Sequence, residues 1–285
     1  MKLIKLMIIS AFLLVSCTNY GQLEYLHKLP GTLKENSGME VLSGSTYWFI
    51  NDAGNKDHLY GVNKEGKIVR DINIKNAKNE DWEDLTKDND GNIYIGNFGN
   101  NKNDRKDLSI YKVPNPETNK GDELEAEKIA FYFPGQEKFP PKKKNRVYDV
   151  EAFFYLKGNL YLFTRNRSSD FDGTTRCYRI PAKAGKHETE LLGTYSLCDD
   201  PKVCQVTSAA ISPDNSTVVL LGHDSVWTFT GFKGDYFLKG KAERVSLGHF
   251  SQKESVCFLD NTTLLISDEK NGAEGQNLYA FKLKK

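Results

Sequence analysis

Short apolar runs separated by turn residues recur along the chain on one plan. Five times a strand-like run leads through a turn into a second: Ser37–Val41 into Tyr47–Asp52, Asp81–Leu85 into Ile93–Asn97, and Asp149–Phe153 into Leu160–Arg165. The last two are Thr207–Ile211 into Val218–His223 and Glu254–Phe258 into Leu264–Asp268. The intervening turns, among them Asp90-Gly91, Lys157-Gly158-Asn159 and Pro213-Asp214-Asn215, carry hairpin chemistry. The register is regular: Glu83 to Asn97, Glu151 to Arg165, Ala209 to His223 and Glu254 to Asp268 are each 14 positions apart. Gly38 to Asp52 keeps the same interval.

A third strand follows each hairpin (Leu59–Val62, Leu108–Val113, Arg176–Ile180, Val226–Thr230, Leu278–Leu283), and a fourth follows in the first four repeats. Four-stranded units of this length predict an all-β fold, a five-bladed β-propeller. The fifth repeat stops after its third strand, while Gln22–Leu29 is an unassigned strand at the other end of the chain. That N-terminal strand is expected to close the ring and remove an exposed edge. Six blades is the alternative, and it requires Pro114–Arg146 to hold a blade. The mature body, residues 22–285, reads as a single domain.

Composition narrows the function classes. The 285 residues are 39% hydrophobic and 27% charged, enough for a sizeable core, and the formal charge is only +1. Near-neutrality with interspersed signs argues against a nucleic-acid binder and against a polybasic membrane-surface protein. The first 17 residues, MKLIKLMIISAFLLVSC, place two lysines before an apolar run that stops at Cys17. That is a secretory leader, too short for an ordinary membrane span. Leu14-Val15-Ser16-Cys17 resembles the lipobox of bacterial lipoproteins, which implies a lipid on Cys17 and a tether over residues 18–21. The expected location is a bacterial cell envelope, on the periplasmic or surface side, with the body a monomer. In that oxidising setting Cys198 and Cys204, flanking a short polar loop, are expected to pair, while Cys177 and Cys257 read as buried thiols.

In a propeller the first strand of each blade lines the central channel. Glu83, Glu151 and Glu254 are therefore expected to converge there, with Ser37 and Ser208 at the two other positions. Carboxylates facing one another need a compensating cation, and hard oxygen donors suit Ca²⁺, or Mg²⁺ or Mn²⁺. Asp52, Arg165 and Asp268, at the ends of second strands, are the candidates for catalytic groups, with Arg165 a clamp for phosphate. His223-Asp224 is a weaker acid–base pair. Pro140-Pro141-Lys142-Lys143-Lys144 reads as a solvated loop or a contact surface.

Ser37-Gly38-Met39-Glu40, Trp82-Glu83, Glu151-Ala152 with Arg165-Asn166-Arg167-Ser168, Thr207-Ser208 and Glu254 fall where one family's blade starts fall. On these motifs the chain resembles the calcium-dependent nucleotidase (apyrase) family, five-bladed propellers with Ca²⁺ in the channel. The resemblance implies Ser37, Glu83, Glu151, Ser208 and Glu254 as ligands, but it does not extend to nucleotide-holding residues. Asn51-Asp52-Ala53-Gly54, Asp81-Trp82-Glu83-Asp84 and Gly96-Asn97-Phe98-Gly99-Asn100-Asn101 also resemble a group of exported propellers of Bacteroidetes-type bacteria. The expected function is a metal-containing module that binds a small molecule, a glycan or a protein. A calcium-dependent hydrolase of phosphoanhydrides or phosphoesters is the alternative.

Overall fold

The structure is a computed structural model that describes residues 19–43 and 45–284. Cys17 and the leader lie outside them. Among the described residues the chain forms strands and three short 3₁₀ turns, with no α-helix. Five antiparallel sheets make five blades, each built outward from its first strand. Blade one runs through Asn36–Val41, Thr46–Asn51, His58–Asn63 and Ile68–Lys75. Blade two comprises Trp82–Lys87, Ile93–Asn97, Ser109–Val113 and Glu127–Tyr132. Blade three is Asp149–Leu156, Asn159–Arg165, Thr174–Pro181 and Glu190–Ser196, and blade four Ser208–Ile211, Thr217–Leu221, Ser225–Thr230 and Lys241–Ser246. Blade five joins Lys253–Phe258, Thr263–Asp268 and Asn277–Lys282 to the N-terminal strand Glu24–Lys28.

The ring therefore closes as expected, with Glu24 opposite Ala280 and Lys28 opposite Asn277. The six-blade alternative fails, because segment 114–146 holds no blade. It supplies the fourth strand of blade two and a short strand, Glu123–Glu125, that adds in parallel to the outer edge of blade one. Likewise Gly185–Glu188, from blade three, adds in parallel to the edge of blade two. Neighbouring blades are thus stitched by backbone hydrogen bonds as well as by packing.

Strands of each blade are hydrophobic on both faces because both faces are covered. Trp48 and Ile50 pack against blade two, among Trp82, Leu85 and Ile95. Their neighbour Phe49 points the other way, toward Cys257, Leu265 and Leu278 of blade five. The remaining three clusters fill the remaining three gaps between blades. The core is therefore five wedges rather than one.

The described part of the expected tether is docked. Tyr20 stacks on Tyr25 with centroids 5.3 Å apart, and the Gln22 amide donates to the Leu247 carbonyl. Gly21, at φ +65°, lies so close to Gly248 that a Cβ there would meet its carbonyl carbon at 2.3 Å. Cys198 and Cys204 are joined by a disulfide with Cα atoms 5.3 Å apart, while Cys177 and Cys257 are buried and free.

Deleting residues 19–29 removes the closing strand and the burial of Leu23 and Leu29. At roughly 1.5–3 kcal/mol for each buried leucine, the loss should be about 3–6 kcal/mol. Urea unfolding checks this, and an unchanged midpoint and slope would show that closure is dispensable.

Candidate cation site at the channel mouth

The N-terminal ends of the innermost strands and the C-terminal ends of the second strands share one mouth of the channel. Asn36 faces Asn51, Trp82 faces Asn97, Asp149 faces Arg165 and Lys253 faces Asp268. Within one or two residues of each of these pairs the ladder slips. Ser37, Glu83, Glu151 and Glu254 are the residues in the slips: each sits in a β-bulge, a device that re-aims a side chain. Blade four has no bulge, and Ser208 pairs regularly with Leu221.

Blade two shows the consequence most clearly. Its bulge spans both Glu83 and Asp84, so residues that simple alternation would send to opposite faces both serve the channel. Trp82 between Asp81 and Glu83 is fully buried in the wedge against blade one. Asn97 Oδ1 accepts from the amides of Glu80 and Asp81, fixing the approach to the mouth. Gly99 then passes so close that a Cβ would meet Glu83 Oε1 at 2.1 Å and Asp81 Cγ at 2.4 Å. Only glycine fits beside these carboxylates without displacing them.

Asp52, Asp81 and Glu83 bring one carboxylate oxygen each to within 4.8 Å of one another, all half-buried. Burial pushes the Asp52 carboxyl up to about 7 against the Ala53 amide that donates to it, and the negative neighbours Asp81 and Glu151 add to the rise. Asp81 is raised by burial too. Glu83 is raised well above the carboxylate range by burial and then by the charge of Glu151. Across the mouth Glu269 is pushed up to about 8 by burial and by Glu254, Asp52, Glu35 and Glu151. The mouth is short of positive charge.

Of Ser37, Glu83, Glu151, Ser208 and Glu254, only Glu83 belongs to the compact trio. Burial would push Glu151 up, but Arg165 at 3.2 Å and Arg167 at 2.7 Å hold its carboxyl below the usual range. Glu254 lies 3.5 Å from His223 Nε2. Ser37 Oγ is buried with no partner among the described residues. Ser208 is spent further in, donating to Asp84 Oδ1 at 3.0 Å and accepting from the Val256 amide.

The catalytic candidates separate as well. Asp52 joins the trio. Arg165 donates to Glu151 and to Gln205 Oε1, so its guanidinium is already committed. Asp268 is fully buried, accepting from the Asn277 amide and the Tyr279 hydroxyl. Asp224 pairs with Arg244 rather than with His223.

Sequence reasoning passed over Asp84. This residue is fully buried on the channel axis, where it accepts from the amides of Leu85, Phe153 and Ala209 and from Ser208. Burial drives its pKa well up, opposed by four donors that all favour the charged form. Gly38 of blade one packs against its backbone, where a Cβ would meet the Leu85 nitrogen at 2.7 Å.

No family model matches the sequence, and no curated protein matches it. Solved propeller structures do match. A PQQ-bound aldose sugar dehydrogenase from Streptomyces coelicolor aligns over 92% of this chain and 98% of its own, with TM-score 0.52 and 10% identity. A calcium-binding regucalcin from Agrobacterium tumefaciens aligns over 92% and 94%, with TM-score 0.48 and 13% identity. A gluconolactonase from Xanthomonas campestris aligns over 87% and 72%, with TM-score 0.45 and 11% identity. The first likeness supports the propeller architecture, and none at this identity assigns an activity.

Asp84→Asn keeps the shape but turns an NH₂ group toward donors. Two buried amides orphaned at roughly 1–3 kcal/mol each predict a loss of about 2–6 kcal/mol. Denaturant unfolding measures it, and a change under 1 kcal/mol (about the worth of a single ordinary hydrogen bond) would contradict the role of Asp84 as hub.

Proposed function

We propose that the protein is an exported, envelope-anchored propeller that holds a divalent cation at its channel mouth and works as a ligand-binding module. The observation that carries the reading is the Asp52–Asp81–Glu83 trio. Oxygens within 4.8 Å of one another suit an ion with ligands at roughly 2.3–2.6 Å on either side, the calcium range. The donors are hard carboxylate oxygens, Gly99 leaves room for them, and the unpartnered Ser37 hydroxyl belongs to the adjacent blade. These residues fit Ca²⁺. A bound ion would supply a fixed positive charge and coordination positions open to oxygen atoms of a ligand.

The alternative, a calcium-dependent hydrolase of phosphoanhydrides or phosphoesters, draws on the half-exposed position of the same trio. The commitment of Arg165 and Arg167 to Glu151 and Asp149 weighs against it, because neither guanidinium is left for phosphate. Calorimetry with Ca²⁺ should detect binding that Glu83→Gln weakens at least about tenfold, roughly 1.4 kcal/mol. Phosphate release from nucleoside triphosphates, present with Ca²⁺ and lost in Glu83→Gln, would instead decide for the hydrolase. An absence of Ca²⁺ binding would remove both readings.

The raised carboxyls give a pH signature. Asp52 and Glu269 titrate near 7 and 8 in the fold, against about 4 in an unfolded chain. The native state therefore holds more protons in this window, and stability falls as pH rises from about 4 to about 8. Melting in EDTA should follow that trend, and Ca²⁺ should raise Tm most at the alkaline end. Equal stabilisation at both ends would break the link between the trio and the ion.

Anchoring is tested separately. Cys17→Ala should move the protein from the membrane to the soluble exported fraction, and continued membrane association would refute the lipid tether.

A further inference from the structure

The insertion between the third and fourth strands of blade two continues past that fourth strand as a strap, residues 133–148, across to blade three. It carries Lys138, Lys142, Lys143, Lys144 and Arg146 with a single acid, Glu137. Such a run would ordinarily be a solvated face. Here it is fastened down. The Lys143 carbonyl accepts from the Ser169 amide and the Arg146 carbonyl from the Arg167 amide. Gln136 Nε2 donates to the Asn103 carbonyl, the Tyr148 amide to Asn103 Oδ1, and the Tyr148 hydroxyl to the Gly135 carbonyl. The fastened strap, with Arg176 of blade three, lines an open pocket of ≈ 460 Å³.

Lys138, Lys142, Lys144 and Arg176 line this pocket, and Glu137 is the one carboxylate on its wall. None of the four cations has a carboxylate partner within ion-pair distance among the described residues. Elsewhere the arginines are engaged: Arg105, Arg165, Arg167, Arg179 and Arg244 pair with carboxylates, and Arg70 donates to three carbonyls. Arg176 sits half-buried at the pocket with no acceptor for its guanidinium among the described residues, and its acidic neighbour Asp172 is already bonded to Asn166 and the Thr174 amide. Arg146 Nε, next to the pocket-lining Asn145, is buried and also lacks a partner among the described residues. Outside the strap, Lys106 lies 5.0 Å over the ring of Phe139 and brings one more cation to it.

In a chain of net charge +1, four unpaired cations facing one concavity are a local excess that an anion must answer. A planar guanidinium beside three ammonium groups suits tetrahedral oxyanions with several charged oxygens. We propose that this pocket binds a phosphate-type oxyanion, carried by a soluble phosphorylated ligand or by an anionic lipid headgroup. The site is independent of the cation at the channel mouth and uses none of its residues.

The test titrates the full-length protein with inorganic pyrophosphate in EDTA. Saturable binding is expected, unchanged in Glu83→Gln and in the distant Lys157→Gln. Arg176→Gln should weaken it at least tenfold, and so should Lys142→Gln with Lys144→Gln, both of them exposed residues whose replacement leaves the fold intact. Vesicles of phosphatidylglycerol against phosphatidylcholine distinguish the sources. Arg176-dependent preference for the anionic vesicles, competed by pyrophosphate, would identify the headgroup. Pyrophosphate binding without that preference would identify a soluble ligand. No pyrophosphate binding, or binding indifferent to both sets of substitutions, overturns the proposal.

Discussion

One buried carboxylate links all five blades, directly or through Ser208. Asp84 belongs to blade two, accepts amides from blades three and four, and abuts the backbone of blade one at Gly38. Ser208, which donates to it, accepts from the Val256 amide of blade five. A charge so deep in the fold costs several kcal/mol unless its lone pairs are filled, and here donors converge on it from three blades. The fully buried side chain also stops the channel. The acidic mouth and the opposite cavity of ≈ 570 Å³, bordered by Glu40, Lys87, Phe154 and Phe258, are therefore separate chemical environments.

Above that plug the mouth is organised by an imbalance of charge. Among the described residues Asp52, Asp81, Glu83 and Glu269 have no basic side chain as a hydrogen-bonded partner, whereas Glu151 and Asp149 hold Arg165 and Arg167. Elsewhere in the ring the fold answers a similar problem with a lysine. Lys253, fully buried near Asp268, donates to the carbonyls of His223 and His249 and to Ser251 Oγ, and burial pulls its pKa down to about 8. Arg105 and Arg167 draw the Asp81 carboxyl down from nearby, but both are paired with other carboxylates, and among the described residues no cation is in ion-pair contact with the trio, which makes an external one its natural complement.

Much of the architecture was legible in the sequence. Repeated paired runs, turn residues and the missing fourth strand in repeat five were enough for blade number and closure. The site was less legible, for a reason that lies in the ladder. The interval of 14 residues marks each blade start, but bulges at Ser37, Glu83, Glu151 and Glu254 change where side chains point. Strict alternation cannot place Glu83 and Asp84 in one channel. The run Asp81-Trp82-Glu83-Asp84 held the signal, since it sets three acids around one aromatic at a blade start. The role of Arg167 beside Asp149 was equally hidden, because it depends on contacts across strand ends. The parallel edge strands Glu123–Glu125 and Gly185–Glu188 are too short and polar to announce themselves.

The pairing of Glu24–Lys28 with Asn277–Lys282 also governs when the molecule can become native. The first strand in the sequence pairs with the last, across nearly the whole chain. Closure of so long a loop gains its contacts only after its entropy has been lost, which makes such topologies slow to fold. Until Asn277–Lys282 emerges, blade five lacks its third strand and Glu24–Lys28 remains an unpaired edge, open to wrong partners. The stitches from blade two onto blade one and from blade three onto blade two act in the opposite sense. Each lets a completed blade be secured by the next one to emerge, so the ring can assemble in chain order while its ends wait.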